Sequence, residues 1–78
     1  MPAKPSILAK VNGFKLILVS AVGQRDGMAL ELATDSGEQI AEVYEDDASR
    51  ERTVSFFTDR PIPLPVVDWF LAAAAKDL

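Results

Sequence analysis

A chain of 78 residues, 49% of them hydrophobic and 26% charged, has the composition of one ordinary globular domain and not of a disordered segment. It contains neither cysteine nor histidine, which excludes disulfides and removes the usual thiolate nucleophile, general base and transition-metal ligands. Its formal net charge of −4 argues against a general affinity for nucleic acid or anionic membrane. We therefore expect a small non-enzymatic domain without a cofactor or a metal.

The N-terminal region carries no signal for export or membrane insertion. Its apolar residues are interrupted by Lys10, Asn12 and Lys15, so it has no continuous hydrophobic segment and nothing approaching eighteen apolar residues. The absence of cysteine also fits a reducing compartment. These features predict a soluble cytoplasmic protein that does not associate with membranes.

A β-hairpin is predicted near the start of the chain, after an extended N-terminus at residues 1–5. Asn12 and Gly13 stand between two apolar runs and suit a two-residue type I′ turn, which needs positive φ at both positions. Residues 6–11 and 14–22 then pair as antiparallel strands.

The predicted turn also determines which residues of the hairpin lie opposite each other. Lys10 is expected opposite Lys15 and Leu8 opposite Ile17, on a mixed face of the sheet. The opposite face is expected to point into the core, with the pairs Val11 and Phe14, Ala9 and Leu16, and Ile7 and Leu18.

Three further strands are predicted at residues 28–34, 38–44 and 52–58. The first alternates apolar with polar or small side chains, and turn residues separate the segments. In the last, Val54 and Phe56 alternate with Thr53, Ser55 and Phe57. In the middle strand, Ile40 and Val43 fall on opposite faces, and the pattern does not decide which of them points inward. The short connections predict an antiparallel meander.

The last twenty residues predict a rigid bridge and a helix. Prolines at alternate positions disfavour both a helix interior and a central strand at residues 59–64. The following residues, 65–77, place apolar side chains at spacings of three and four, as a helix that packs on a sheet requires. The predicted apolar stripe comprises Val67, Phe70, Leu71, Ala74 and Leu78.

These elements together predict a single α+β domain over residues 1–78. A five-stranded antiparallel sheet would occupy residues 6–58, with one C-terminal helix packed on one of its faces. A single helix of this length covers only one face of such a sheet. The other face is left for solvent, a partner or a second copy.

Four apolar residues are therefore candidates for an interface: Leu8, Ile17, Val19 and Phe57. They would lie on or beside the uncovered face, and a group of exposed apolar side chains there would be a binding site for another protein surface. Strong curvature, as in a small barrel, would instead bury some of them inside the domain. The sequence does not distinguish an open sheet from a small barrel.

A weaker candidate is a small basic patch at Lys10 and Lys15, in a segment that also contains Lys4 and Arg25. Beside an exposed aromatic residue such as Phe57, these cations would suit single-stranded nucleic acid, which binds by backbone contacts and base stacking. Solvent-facing lysines that increase solubility are the simpler interpretation.

The consecutive acids Glu45, Asp46 and Asp47 are the strongest remaining candidates for chemistry. A calcium loop alternates its ligands and has a glycine at a sharp turn, and this segment has neither feature. We interpret it as a solvated turn between strands.

The sequence thus favours a non-enzymatic protein-interaction domain, which either self-associates or is the small partner of another protein. Two alternative hypotheses remain at this point: a single-stranded nucleic-acid binder that uses a sheet face, and a small carboxylate-dependent enzyme or enzyme subunit.

Overall fold

A computed structural model describes residues 6–11, 13–21 and 26–78, and side chains from residue 10 onward within these ranges except that of residue 21. Several predicted features lie outside the described residues. They are the extended N-terminus, Asn12 of the first turn, the residues of the predicted loop before Asp26, Lys4, Arg25 and the side chain of Leu8.

Five strands precede one helix in the chain. The elements are β1 (Ser6–Val11), β2 (Phe14–Ala21), β3 (Gly27–Thr34), β4 (Gln39–Asp46), β5 (Arg52–Phe56) and α1 (Leu64–Asp77). The strands form one antiparallel sheet in the order β1-β2-β3-β4-β5. In the described part of the chain β1 and β5 do not pair, so the sheet is open. The predicted α+β meander is confirmed.

The turn of the first hairpin has the predicted geometry at its described residue. Gly13 has a φ of 83°, the left-handed conformation that glycine adopts without a steric penalty. Lys10 lies opposite Lys15, as the turn predicts.

Farther from the turn, the pairing of β1 with β2 differs from the prediction. A register shift between Ile7 and Ala9 places Ile7 opposite Ile17. The predicted pairs of Ile7 with Leu18 and of Leu8 with Ile17 are therefore wrong. The cause is a bulge, an extra residue in one strand that leaves no signal in the alternation of apolar side chains.

A second register shift resolves the ambiguous strand β4. The shift follows Leu32 in β3 and leaves Ile40 as an extra residue in β4. Ile40 and Val43 are both buried in the same cluster. Strict alternation would have sent them to opposite faces, and the bulge allows both to point inward.

The core lies between α1 and the centre of one sheet face. Its buried members come from β2, β3, β4 and α1, and among them the side chains of Phe70, Leu30 and Leu32 are fully buried. The half-buried Trp69 packs against this cluster. The cluster comprises Leu16, Leu30, Leu32, Ile40, Ala41, Val43, Val66, Phe70 and Ala74.

The apolar stripe of α1 is rotated relative to the prediction. Val66, Phe70 and Ala74 are buried, whereas Leu71 is exposed and Val67 is half-buried. Apolar residues occur on two adjoining stripes of the helix. The alanines that follow Leu71 contribute equally small side chains to both stripes, so side-chain size does not indicate which stripe is buried. The assignment of Leu71 to the core is therefore wrong.

The helix begins one residue earlier than predicted, at Leu64, so that Pro65 occupies its second position. The carbonyl of Pro63 accepts hydrogen bonds from the N–H groups of Val66 and Val67 at 2.9 and 3.2 Å. Within the described residues, no helix is both long enough and apolar enough to cross a membrane.

The rotated stripe can be tested with two matched valines. Val66→Ala removes two buried methyl groups and should lower the free energy of unfolding by about 2 kcal/mol, while Val67→Ala should cost less than about 1 kcal/mol. Urea denaturation of both variants measures the difference. Equal losses, or a larger loss for Val67→Ala, would contradict the packing described here.

Candidate functional site

Strand β5 is an edge of the sheet, and all five of its residues are exposed. Two hydrogen bonds at its ends define its orientation. The N–H of Phe57 donates to the carbonyl of Ile40 at 2.8 Å, and the N–H of Asp46 donates to the carbonyl of Glu51 at 3.0 Å. The odd-numbered residues of this segment therefore bond β4.

The even-numbered residues of β5 direct their backbone groups the other way. In an antiparallel pair, consecutive residues alternate between bonding the neighbouring strand and facing away from it. Since the register between β4 and β5 has no shift, the N–H and C=O groups of Arg52, Val54 and Phe56 point outward. The edge thus presents a row of donors and acceptors that another strand can pair with.

The side chains of Val54 and Phe56 add an apolar component to this edge. They lie opposite Val43 and Ala41 of β4, on the face that α1 covers. Nevertheless, Val54 is 48% exposed and Phe56 51% exposed. The helix packs on the central strands and leaves β5 uncovered.

One flank of α1 continues the apolar surface. Leu64 is 69% exposed and Leu71 44% exposed, and helical spacing places them on the same flank, beside the buried stripe. Arg52 of β5 donates a hydrogen bond to the carbonyl of Leu78, two turns beyond Leu71 on this flank. The opposite flank carries Trp69, which packs against the core. The flank with Leu64 and Leu71 therefore faces β5.

We call the exposed group formed by Val54, Phe56, Leu64 and Leu71 the β5–α1 surface. None of these residues was among the four candidates for an interface from the sequence. Alternation along β5 places Val54 and Phe56 on one face of the strand, but it does not show that this face is exposed. The exposure of Leu71 depends on the rotation of the helix.

Of the three candidates whose side chains are described, the structure separates Phe57 from Ile17 and Val19. Ile17 and Val19 are half-buried in β2, on the face away from α1. Phe57 is 54% exposed and follows β5, three strands away, or about 14 Å at the usual strand spacing. The side chain of Leu8 is not among those described. The described candidates do not form one patch.

Acidic residues also interrupt the face away from α1. Ile17 lies opposite Glu31, which lies opposite Glu42 in the next strand. Glu42 is buried and Glu31 half-buried, and both take part in polar or electrostatic interactions. This face is therefore mixed in character and is not a continuous apolar surface.

The two lysines of the predicted basic patch do lie opposite each other, Lys10 exposed and Lys15 half-buried. The aromatic residue invoked beside them, Phe57, lies at the other side of the sheet. Among the described residues, these two lysines therefore do not lie beside Phe57.

Glu45, in the acidic run, holds together the connection between β4 and β5. Its carboxylate accepts a hydrogen bond from Nε of Arg52 at 2.8 Å and from Nη1 of Arg50 at 3.3 Å. These arginines, Arg52 foremost, lower the pKa of Glu45 below its ordinary value of 4.5. Glu45 is one of the few buried charged residues, so its interaction with the two arginines stabilises the fold.

Asp46 orders the turn that follows. Its Oδ2 accepts hydrogen bonds from the backbone N–H groups of Ser49 at 2.8 Å and of Ala48 at 3.1 Å. These bonds, led by that of Ser49, lower the pKa of Asp46 below its ordinary value of 3.8. Among the residues described, no three acids come together in a way that could hold a metal ion.

A shallow pocket of about 350 Å³ lies where the proline-rich bridge meets the ends of β2, β3 and β4. Its polar groups bond mainly to each other. The hydroxyls of Thr34 and Ser36 are 2.9 Å apart, and Arg60 forms an ion pair with Glu38. This arrangement fixes the bridge to the sheet.

Comparison of the chain with known protein families, with characterised proteins and with solved structures finds no significant match.

The ion pair of Glu45 predicts a dependence of stability on pH. Because its pKa is lowered in the folded state, its charged form stabilises the fold above about pH 4.5, and this stabilisation is lost as pH falls through the lowered value. We expect Glu45→Gln to be less stable than the wild type at pH 7 and to lose less stability on acidification.

The measurement is urea denaturation at several pH values between 7 and 2, with Glu51→Gln as the control. Glu51 is exposed on the same connection, so its variant should follow the wild type. If Glu45→Gln showed the same acid dependence as the wild type, the ion pair would make no net contribution.

Proposed function

We propose that this chain is a non-enzymatic protein-interaction domain and that the β5–α1 surface is its binding site. The observation that carries the proposal is the exposure of Val54 and Phe56 on an unpaired edge strand, beside the exposed Leu71 of the helix. Apolar side chains and outward backbone groups occur together at this place.

The two components serve different purposes in binding. A strand added to a sheet edge gains main-chain hydrogen bonds, while pockets and apolar contacts for alternate side chains provide specificity. Large apolar side chains such as Phe56 supply the affinity of such interfaces when they are shielded from water. The β5–α1 surface offers both components to an extended protein segment.

The other edge of the sheet supports the choice of β5. Strand β1 contains a bulge and carries the exposed Lys10, and both features discourage the addition of another strand. Strand β5 has neither a bulge nor a lysine, and its one charged side chain, Arg52, is paired with Glu45. Of the two edges, β5 is the better template.

The alternative hypotheses gain less support. Nucleic-acid binding would require the cations of β1 and β2 to lie near an aromatic ring, and Phe57 lies on the far side of the sheet. Carboxylate catalysis would require an acid poised in a pocket. Glu45 and Asp46 instead have lowered pKa values because they bind arginines and backbone N–H groups.

Two adjacent phenylalanines allow a sharp test. Phe56 and Phe57 are almost equally exposed, but strand alternation turns them to opposite faces. Phe56→Asp should abolish assembly of the protein, while Phe57→Asp should leave it unchanged. Native mass spectrometry of each variant, isolated from its own host at normal abundance, measures the assembly.

The wild type should appear above the 8.5 kDa mass of one chain, Phe56→Asp at that mass, and Phe57→Asp with the wild type. Circular dichroism verifies that both variants are folded. Loss of assembly in Phe57→Asp alone would move the binding site to the face away from α1, and an unchanged assembly in both would reject the β5–α1 surface.

A further inference from the structure

We infer that the partner at the β5–α1 surface is a second copy of this chain, with the two β5 strands paired antiparallel about a two-fold axis at Val54. The inference rests on the proposed function and names the partner. The product is a continuous ten-stranded sheet with both helices on one side. Self-complementarity of β5 in chemistry and charge supports it.

The register follows from the length of the strand. Val54 is the midpoint of Arg52–Phe56, so an axis at Val54 overlaps all five residues of each copy. The outward N–H and C=O groups of Arg52, Val54 and Phe56 then meet the corresponding groups of the other copy, in the narrowly spaced pattern of an antiparallel ladder. A two-fold contact of this kind is closed, because it uses the β5 edge of both copies and leaves β5 with no edge for a third copy.

On the face that carries α1, this register matches chemically suitable side chains. Val54 meets Val54 of the other copy, and Arg52 meets Phe56 of the other copy on each side of the axis. Arginine stacks favourably on an aromatic ring. Its bond to Glu45 involves Nε and the edge of the guanidinium, which leaves the planar face for the ring.

The opposite face of the junction is polar, and the register suits it as well. Thr53 lies opposite Ser55 of the other copy, twice. Pairs of hydroxyl side chains across antiparallel strands are favourable and remain compatible with water. All five residues of β5 therefore obtain a matched partner without burying an unpaired charge.

Charge is complementary at the two ends of the junction. Arg50 precedes β5 and is largely exposed even though it also bonds Glu45, while Asp59 follows β5 and is also exposed. The antiparallel arrangement brings Arg50 of each copy near Asp59 of the other. The net charge of −4 on each copy opposes association, but salt screens this repulsion beyond about 8 Å at physiological ionic strength.

The required area involves the helices too. A stable interface buries about 800 Å² per partner, about a sixth of the 5084 Å² surface of this chain, and a five-residue strand pair supplies only part of it. The remainder would come from the exposed side chains of α1 on the β5–α1 surface, Leu64 and Leu71, where they lie against the other copy.

The first experiment is sedimentation equilibrium of the purified chain over a range of concentrations. The wild type and Phe57→Asp should approach twice the mass of one chain. Phe56→Asp should raise the dissociation constant by at least about 30-fold, as the loss of a large aromatic side chain from an interface does.

The register can be tested by disulfide cross-linking, because the natural chain has no cysteine. Val54→Cys places two cysteines opposite each other with Cα atoms about 5.5 Å apart, within the range for a disulfide, and should form a covalent dimer on oxidation. Thr53→Cys alone should not cross-link, whereas a mixture of Thr53→Cys with Ser55→Cys should.

Each result separates this inference from the proposed function. A wild type that stays monomeric up to about 1 mM overturns the second copy as partner, while assembly in the host that Phe56→Asp abolishes would still support the surface. A dimer that survives Phe56→Asp, or in which neither Val54→Cys nor the mixed pair cross-links, overturns the inferred pairing. A dimer that meets both tests supports it.

Discussion

The contact between α1 and the central strands is the constraint on which the rest of the structure depends. Phe70 and Val66 insert into a cluster built by Leu30, Leu32 and Val43, and no second helix is present among the described residues. A single helix cannot cover five strands, since its diameter of about 10 Å spans about two strand spacings. Covering the centre therefore means exposing an edge, and the β5–α1 surface is the consequence.

Much of the fold follows from local patterns in the sequence. Alternating side chains define the strands, Gly13 provides the conformation that the first turn needs, and the prolines end the sheet before the helix begins. These are effects between residues close in the chain. They determine which elements form and in what order the strands lie, and both predictions agree with the structure.

The details that position the candidate site depend on contacts between residues far apart in the chain. A bulge turns Ile40 inward, and a rotation of α1 buries Val66 in place of Leu71. Neither can be recognised from the spacing of apolar residues in the sequence. A bulge adds a residue without changing which residues are apolar, and a helix with two adjoining apolar stripes can bury either of them. The sequence therefore pointed to Leu8, Ile17, Val19 and Phe57, of which Phe57 is exposed, and did not point to the exposed Val54 and Phe56 on the face that carries α1.

The two ends of the β5–α1 surface differ in their hydrogen bonds, and Arg52 is the cause. It bonds Glu45 in β4 and the carbonyl of Leu78, and so it holds the end of α1 close to the start of β5. Among the described hydrogen bonds, none joins Phe56 to α1. Strand and helix are thus tied to each other at the arginine end of the β5–α1 surface, and the charged form of Glu45 takes part in holding that arginine.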